Sequence, residues 1–194
     1  MLAACGSARP AAKSNSNGAG LPGAPASAEE WARYEAGLVE LASYYKISDP
    51  PPVVVRAWLK PEERSAYVDP CVRESGFQQE GRLWVGITPD QQSAFNLAQF
   101  KCSAAYPAMP KYSGSLNKTN KSNAYDWTVE KVIPCLESHG YTIRDIPSRA
   151  VFIASFDTQP FYPFSQLPVL SNDEMEALET ECRQWPPSEY LYGK

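Results

Sequence analysis

A short motif containing proline and cysteine occurs twice in this chain and restricts the folds that the chain can adopt. The pattern V-x-P-C-[VL]-x-x-x-G-[FY] covers residues 68–77 and again residues 132–141. Every matched residue of the second copy lies 64 positions after its counterpart in the first. Because repeated sequences usually form repeated local structures, we predict a duplicated unit. Copy one spans about residues 53–107 and copy two about residues 124–187, with a break between them.

The cysteines support this duplication. Setting Cys5 aside leaves one motif cysteine and one later cysteine in each copy, and each later cysteine comes just before an aromatic–proline pair. The repeat therefore predicts two disulfides, Cys71–Cys102 and Cys135–Cys182. Loops of this length correspond to about 3.5–4 kcal/mol of stabilisation each in the chain-entropy model. No C-x-x-C pair is present, so we expect no metal site, and nothing indicates a cofactor.

Local patterns predict a chain that is mostly helical. Ser27 and Glu30 form a capping box before a helix of about 18 residues, and further helices are predicted at 125–139 and 148–156. Residues 53–58 and 83–87 are rich in residues that favour strands. The predicted fold class is α+β, mostly helical, with a small sheet. It consists of two tandem related helix–strand–helix units, each closed by one disulfide.

The N-terminal residues Leu-Ala-Ala-Cys, at positions 2–5, resemble a bacterial lipobox. The resemblance implies that residues 1–5 are the remnant of a lipoprotein signal and that Cys5 carries lipid. A signal peptide needs a longer apolar segment, so either the true start lies upstream or the match is accidental. Residues 6–27 contain no acidic residue and few apolar ones, which predicts a disordered tether. Residues 28–194 are predicted to form a single globular domain.

Several patterns in the second copy resemble a family of exported actinobacterial lipoproteins that has no assigned activity. They are the motif at 132–141, Pro-Ser-Arg at 147–149, the aromatic–proline segment at 160–164, and Cys-x-x-Trp-Pro-Pro at 182–187. The resemblance covers about residues 55–193. It implies an extracytoplasmic protein held at the cell membrane by lipid on Cys5.

The sequence offers little for catalysis. His139 is the only histidine and precedes a glycine at a predicted helix end, while G-x-S-x-G and phosphate-binding loops do not occur. A net charge of −4 without a basic stripe argues against nucleic-acid binding. An enzyme that cleaves cell-wall glycan with two carboxylates stays open as the alternative. Its candidate acids are more simply read as charges at helix N-termini; they are Glu62, Glu63, Asp126, Asp173 and Glu174.

The aromatic residues suggest a binding function instead. The chain has 5 Trp, 11 Tyr and 7 Phe, and its proline-rich segment 160–164 cannot easily enter a helix or an inner strand. We select Phe161, Tyr162 and Trp185 as candidate ligand-binding residues, with ordinary core packing as the competing interpretation. The predicted function is a noncatalytic domain that binds cell-wall polysaccharide or an envelope protein.

Overall fold

The computed structural model describes residues 18–193. The described chain is mostly helical, at 54%, with one two-stranded antiparallel sheet and two disulfides, which confirms the predicted α+β class. It divides into two compact units with the boundary between Gly114 and Ser115, so each copy of the repeat belongs to its own unit. No described helix is both long enough and apolar enough to cross a membrane.

The described part of the first unit starts with a short segment of turns, from Gly18, that leads into helix α1. Cys5 and most of the predicted tether lie outside the described residues. The tether residues from 18 onward form turns, and the carbonyl of Gly18 accepts a hydrogen bond of 3.0 Å from the Trp58 indole. Helix α1 covers Ala28–Tyr44, and the hydroxyl of Ser27 accepts a hydrogen bond from the Glu30 amide at its start. This is one half of the predicted capping box, and it satisfies one of the free amides of the first turn. The Glu30 carboxylate accepts a hydrogen bond of 2.6 Å from the amide of Ala26, not from that of Ser27.

The prediction of a strand at residues 53–58 is wrong. The amides of Arg56 and Ala57 both donate to the carbonyl of Ala105, and a single parallel bridge joins Leu59 to Ala108. Pro107, within the opposing segment, has no amide hydrogen to donate. A regular ladder of hydrogen bonds therefore does not form, and residues 53–58 do not become a strand.

The sheet of the first unit is a hairpin of two short strands. Strand β1 covers Gln78–Glu80 and strand β2 covers Leu83–Val85, with Gln79 opposite Trp84. The sequence predicted the second strand, at residues 83–87, and missed the first. Its three residues are polar and lack β-branching, so they carry no strand signal of their own.

Two helices and a disulfide hold the rest of the first unit together. Helix α2 covers Ser65–Glu74 after a 3₁₀ turn at Pro61–Glu63, and helix α3 covers Gln92–Ala105. The predicted Cys71–Cys102 disulfide joins them, with Cα atoms 5.7 Å apart. Beside it, Val68 and Val72 are buried against the rings of the hairpin and of α3.

The second unit starts with helix α4, which covers Lys118–Trp127. A π-helical turn at Thr128–Val132 then leads into helix α5, Ile133–Ser138. The structure therefore begins this helix several residues before the predicted start at 125. Asn117 and Asn120 form a capping box there. The π turn lies just before Pro134, whose ring lacks the amide needed to continue the α-helical hydrogen-bond pattern.

The remaining elements complete the core of the second unit. Helix α6 covers Arg149–Ser155, helix α7 covers Asn172–Glu181, and helix α8 covers Ser188–Tyr192. The predicted Cys135–Cys182 disulfide joins α5 to the end of α7, with Cα atoms 5.5 Å apart. Around it lies a core of buried apolar side chains: Val132, Ile133, Leu136, Ile143, Phe164 and Leu178.

The two copies of the motif end their helices in the same way. Gly76 follows α2 with a φ of +94°, and Gly140 follows α5 with a φ of +87°. A residue without a Cβ adopts this left-handed conformation most easily, which explains the glycine in both copies. Two disulfides in one chain indicate an oxidising, extracytoplasmic compartment.

Candidate functional site

Three aromatic residues selected from the sequence line one cleft of the second unit. Phe161, Tyr162 and Trp185 all border it, and its enclosed volume is about 20 Å³, room for about one water molecule. Further rings and prolines complete most of its wall: Phe152, Phe156, Pro160, Pro163 and Pro186. The cleft is therefore mostly apolar, as small-molecule sites generally are.

Short, rigid elements hold these side chains in place. Helix α6 carries Phe152, which is 4% exposed, and Phe156 follows one turn later at the end of the helix. Tyr162 precedes a 3₁₀ turn that starts at Pro163, and its carbonyl accepts a hydrogen bond of 2.7 Å from the Ser165 hydroxyl. Trp185 lies three residues after the disulfide-bonded Cys182, so the disulfide restrains the chain that presents its ring.

The rings form a continuous series from the surface into the core. Tyr162 packs against Trp185 with ring centroids 6.3 Å apart, and Trp185 packs against Phe156 at 6.0 Å. Phe156 then meets Phe152 at 5.6 Å, and Phe152 meets Tyr125 at 5.4 Å. All four contacts are edge-to-face, a favourable arrangement for aromatic pairs. Tyr162 and Trp185 are 38% and 42% exposed, so the outer end of the series is available to a ligand.

Two cations lie against this series of rings. The Lys121 ammonium is 5.6 Å from the centroid of Phe156 and 2.5 Å from a carboxylate oxygen of Asp157. The Arg149 guanidinium lies 4.7 Å from the centroid of Tyr125 and forms a salt bridge with Asp126. The hydrogen bond to Asp126 raises the pKa of Arg149. Both cations are thus paired with an acid while they cover a ring.

The polar groups of the cleft are few. The Thr128 hydroxyl donates a hydrogen bond of 2.8 Å to the Ala124 carbonyl of its own helix. The Gln184 amide offers both a donor and an acceptor. No lining residue in the described part of the chain carries a carboxylate, a thiol or an imidazole. This composition suits binding of an apolar face better than acid–base chemistry.

The acids considered for a two-carboxylate hydrolase lie elsewhere. Glu62 and Glu63 belong to the 3₁₀ turn before α2, and Asp173 and Glu174 lie in the first turn of α7. The interpretation of Asp126 as a charge at a helix N-terminus is wrong, because it lies in the last turn of α4 and forms a salt bridge with Arg149. Glu174 accepts hydrogen bonds from the hydroxyl and the amide of Ser171, which lower its pKa. The hydrolase remains an untested prediction that no contact in this cleft supports.

Sequence reasoning missed Phe152, Phe156 and Lys121. The two phenylalanines are four residues apart, a spacing that puts both on one face of α6, and this was the available signal. Lys121 lies in the predicted break between the two copies. His139 caps the end of α5, as expected from its position, and its Nε2 atom lies 3.2 Å from the Glu181 carboxylate.

Comparison of the chain with protein-family models, with curated proteins and with solved structures finds no match. The function is therefore inferred from the chemistry of the cleft itself. The cleft contributes two partly exposed rings, a rigid proline frame and an amide.

Proposed function

We infer that the protein is a lipid-anchored protein of the cell envelope whose second unit binds cell-wall polysaccharide on the exposed rings at the mouth of the aromatic cleft, without chemical turnover. The observation that carries this proposal is the edge-to-face pair of Tyr162 and Trp185 at the surface of the cleft. A sugar ring has one apolar C–H face, which packs on an aromatic ring, and hydroxyl groups around its edge, which need polar partners.

The surroundings of the pair agree with such a ligand. The rings are held by a proline-rich loop and by the chain next to a disulfide, so little conformational freedom remains to be lost on binding. Gln184 supplies an amide for ring hydroxyls at the same cleft. Lipid on Cys5 keeps this unit close to the wall.

The binding part is tested with the oxidised full-length chain and purified, insoluble cell-wall polysaccharide in a sedimentation assay. We expect saturable binding that weakens about tenfold or more, which is about 1.4 kcal/mol, in each of W185A and Y162A. Tyr44→Ala is the matched control, because Tyr44 is a highly exposed ring of the first unit. Equal binding by all four proteins would refute the cleft as the site. Binding of the wild type to a membrane protein extract alone would point to an envelope protein as the ligand.

The anchor is tested separately by expression together with the upstream sequence in a bacterial host. We expect Cys5 to incorporate labelled fatty acid and the protein to sediment with membranes. In Cys5→Ala both the label and the sedimentation should be lost. A wild-type protein that incorporates no label would remove the anchor and leave the binding proposal intact.

A further inference from the structure

The second disulfide lies next to a histidine. Potential metal-binding atoms of Cys135, His139 and Cys182 all lie within 4.8 Å of one another. Cys135 and His139 are four residues apart and therefore on one face of α5 at its end. Glu181 directly precedes Cys182, and its carboxylate oxygen lies 3.2 Å from Nε2 of His139. Two sulfurs, an imidazole and a carboxylate thus lie close together.

The first copy of the motif lacks this arrangement. Ser75 occupies the position that corresponds to His139, and its hydroxyl donates a hydrogen bond of 3.1 Å to the Cys71 carbonyl. Lys101 precedes Cys102, where the second copy has Glu181. The equivalent disulfide therefore has a hydroxyl and a cation near it in sequence instead of an imidazole and an anion. The two copies share their cysteines and differ in the groups that would favour a metal.

We propose that reduction of the Cys135–Cys182 disulfide creates a zinc site in which the two thiolates and His139 are ligands and Glu181 orients the imidazole. Thiolate sulfur and imidazole nitrogen are the ligands that zinc prefers. A carboxylate that holds one nitrogen of a histidine leaves the other nitrogen for the metal, an arrangement typical of zinc sites. Water completes four-coordination.

The chemical steps balance with a dithiol as the reductant. Its two sulfurs become a cyclic disulfide, and the electrons and protons that they lose convert the protein disulfide into two thiols. The zinc ion then replaces the two thiol protons, which leave to solvent. Zinc–sulfur bonds of about 2.3 Å require the two sulfurs to separate to about 3.8 Å. Cys182 is only 2% exposed, whereas His139 and Glu181 are exposed, so the ion would enter from the histidine side.

The experiment uses the full-length chain after reduction with a phosphine. Each disulfide becomes two thiols, and one phosphine takes up the oxygen atom of one water molecule for each disulfide reduced. Cobalt(II) serves as the spectroscopic probe, and zinc competes it off. We expect one tightly bound ion per chain, with the sulfur-to-cobalt charge-transfer band of thiolate ligation. C71S/C102S should keep that ion, because it alters only the first copy.

Replacement of the proposed ligands separates the site from binding to free thiols. His139→Ser introduces the residue of the first copy and should weaken zinc binding by more than about 100-fold, beyond the usual effect of losing an orienting partner. Glu181→Gln should weaken it by about 10- to 100-fold. Affinity that is unchanged in His139→Ser, or two equivalent ions per chain, would overturn the proposal.

A second measurement covers the case in which the reduced chain loses its fold. Reoxidation of the reduced chain is monitored over time by peptide mapping, with and without zinc. Zinc should delay formation of Cys135–Cys182 more than that of Cys71–Cys102, and His139→Ser should remove the difference. Equal delay of both disulfides in the wild type would contradict a site at His139.

Discussion

At the residue scale, the side chain of Arg64 donates hydrogen bonds to two main-chain carbonyls of the first unit. Its Nε atom donates to the carbonyl of Tyr106 at 2.9 Å, and its Nη2 atom donates to the carbonyl of Ser103 at 3.2 Å. Both acceptors lie at the end of helix α3, where carbonyls lack partners within the helix. Burial of the guanidinium lowers its pKa. Arg64 thus caps α3 from a different part of the chain.

We expect Arg64→Ala to lower the free energy of unfolding by about 2–3 kcal/mol, because charged hydrogen bonds to two partly buried carbonyls are lost. Urea denaturation followed by circular dichroism measures this. Arg33→Ala is the control, since Arg33 makes one exposed salt bridge with Glu29, one turn away on α1, and should cost at most about 0.5 kcal/mol. Similar losses for both variants would show that the capping contact contributes nothing special.

Tyr34 gives a prediction about pH. It packs against Trp58 with ring centroids 4.8 Å apart, and burial, with a smaller contribution from Glu35, raises its pKa to about 12. In the unfolded chain the phenol ionises near pH 10, so this contribution to stability is complete below that pH and is lost as the pH rises from 10 to 12. Tyr34→Phe should therefore lose less stability than the wild type between pH 9 and 11.5. Parallel losses for the two proteins would show that Tyr34 ionises normally.

At the element scale, α6 illustrates how one buried ring fixes a helix of seven residues. Phe152 touches Tyr125 on α4 and Phe156 beyond the helix end, whereas the preceding residue, Val151, is 56% exposed. A helix this short is not stable alone in water. Its position, and that of the cleft wall which it supplies, depends on this contact.

Phe152→Ala should lower the free energy of unfolding by about 3–5 kcal/mol through lost burial and a cavity. Val151→Ala should change it by no more than about 0.5 kcal/mol. Thermal and urea unfolding compare the two neighbours. If Phe152→Ala is as mild as Val151→Ala, α6 is held by other contacts.

The elements also show what the sequence can and cannot predict. Both disulfide pairings follow from the repeat, because equivalent cysteines occupy equivalent local structures. The prediction of a strand at 53–58 is wrong because a strand needs a partner whose amides can donate hydrogen bonds. Pro107 lies in the partner segment and has no amide hydrogen. The early start of α4 was missed because the capping box has Asn120 where Glu or Gln is usual, so the sequence lacks the common signature. Rings in the proline-rich segment predicted part of the cleft, while the ring contacts of Phe152 and Phe156 depend on tertiary packing.

At the scale of the whole molecule, each unit has its own core and its own disulfide. The cleft and the proposed zinc site are made from residues of the second unit only. Nothing in either site requires a residue from the first unit. The two units are therefore expected to be separable.

Residues 115–194 expressed alone in an oxidising compartment should fold, form Cys135–Cys182 and retain the binding of the full chain within about threefold, or 0.65 kcal/mol. Circular dichroism, peptide mapping and the sedimentation assay test these points. A fragment that is helical only in the presence of the first unit would show that the boundary at Gly114 does not separate independent folding units.

The π turn at Thr128–Val132 has a consequence for how this unit tolerates change in chain length. Such a turn holds one residue more than an α-helical turn. A deletion of one residue there would leave a continuous helix, free of obvious defects up to Pro134. Each residue of an α-helix advances about 100° around the axis, and the wider π turn spreads nearly the same total rotation over one residue more, so Cys135 would still face Cys182 after the deletion. A lineage that lost this single codon would keep both its helix and its second cross-link.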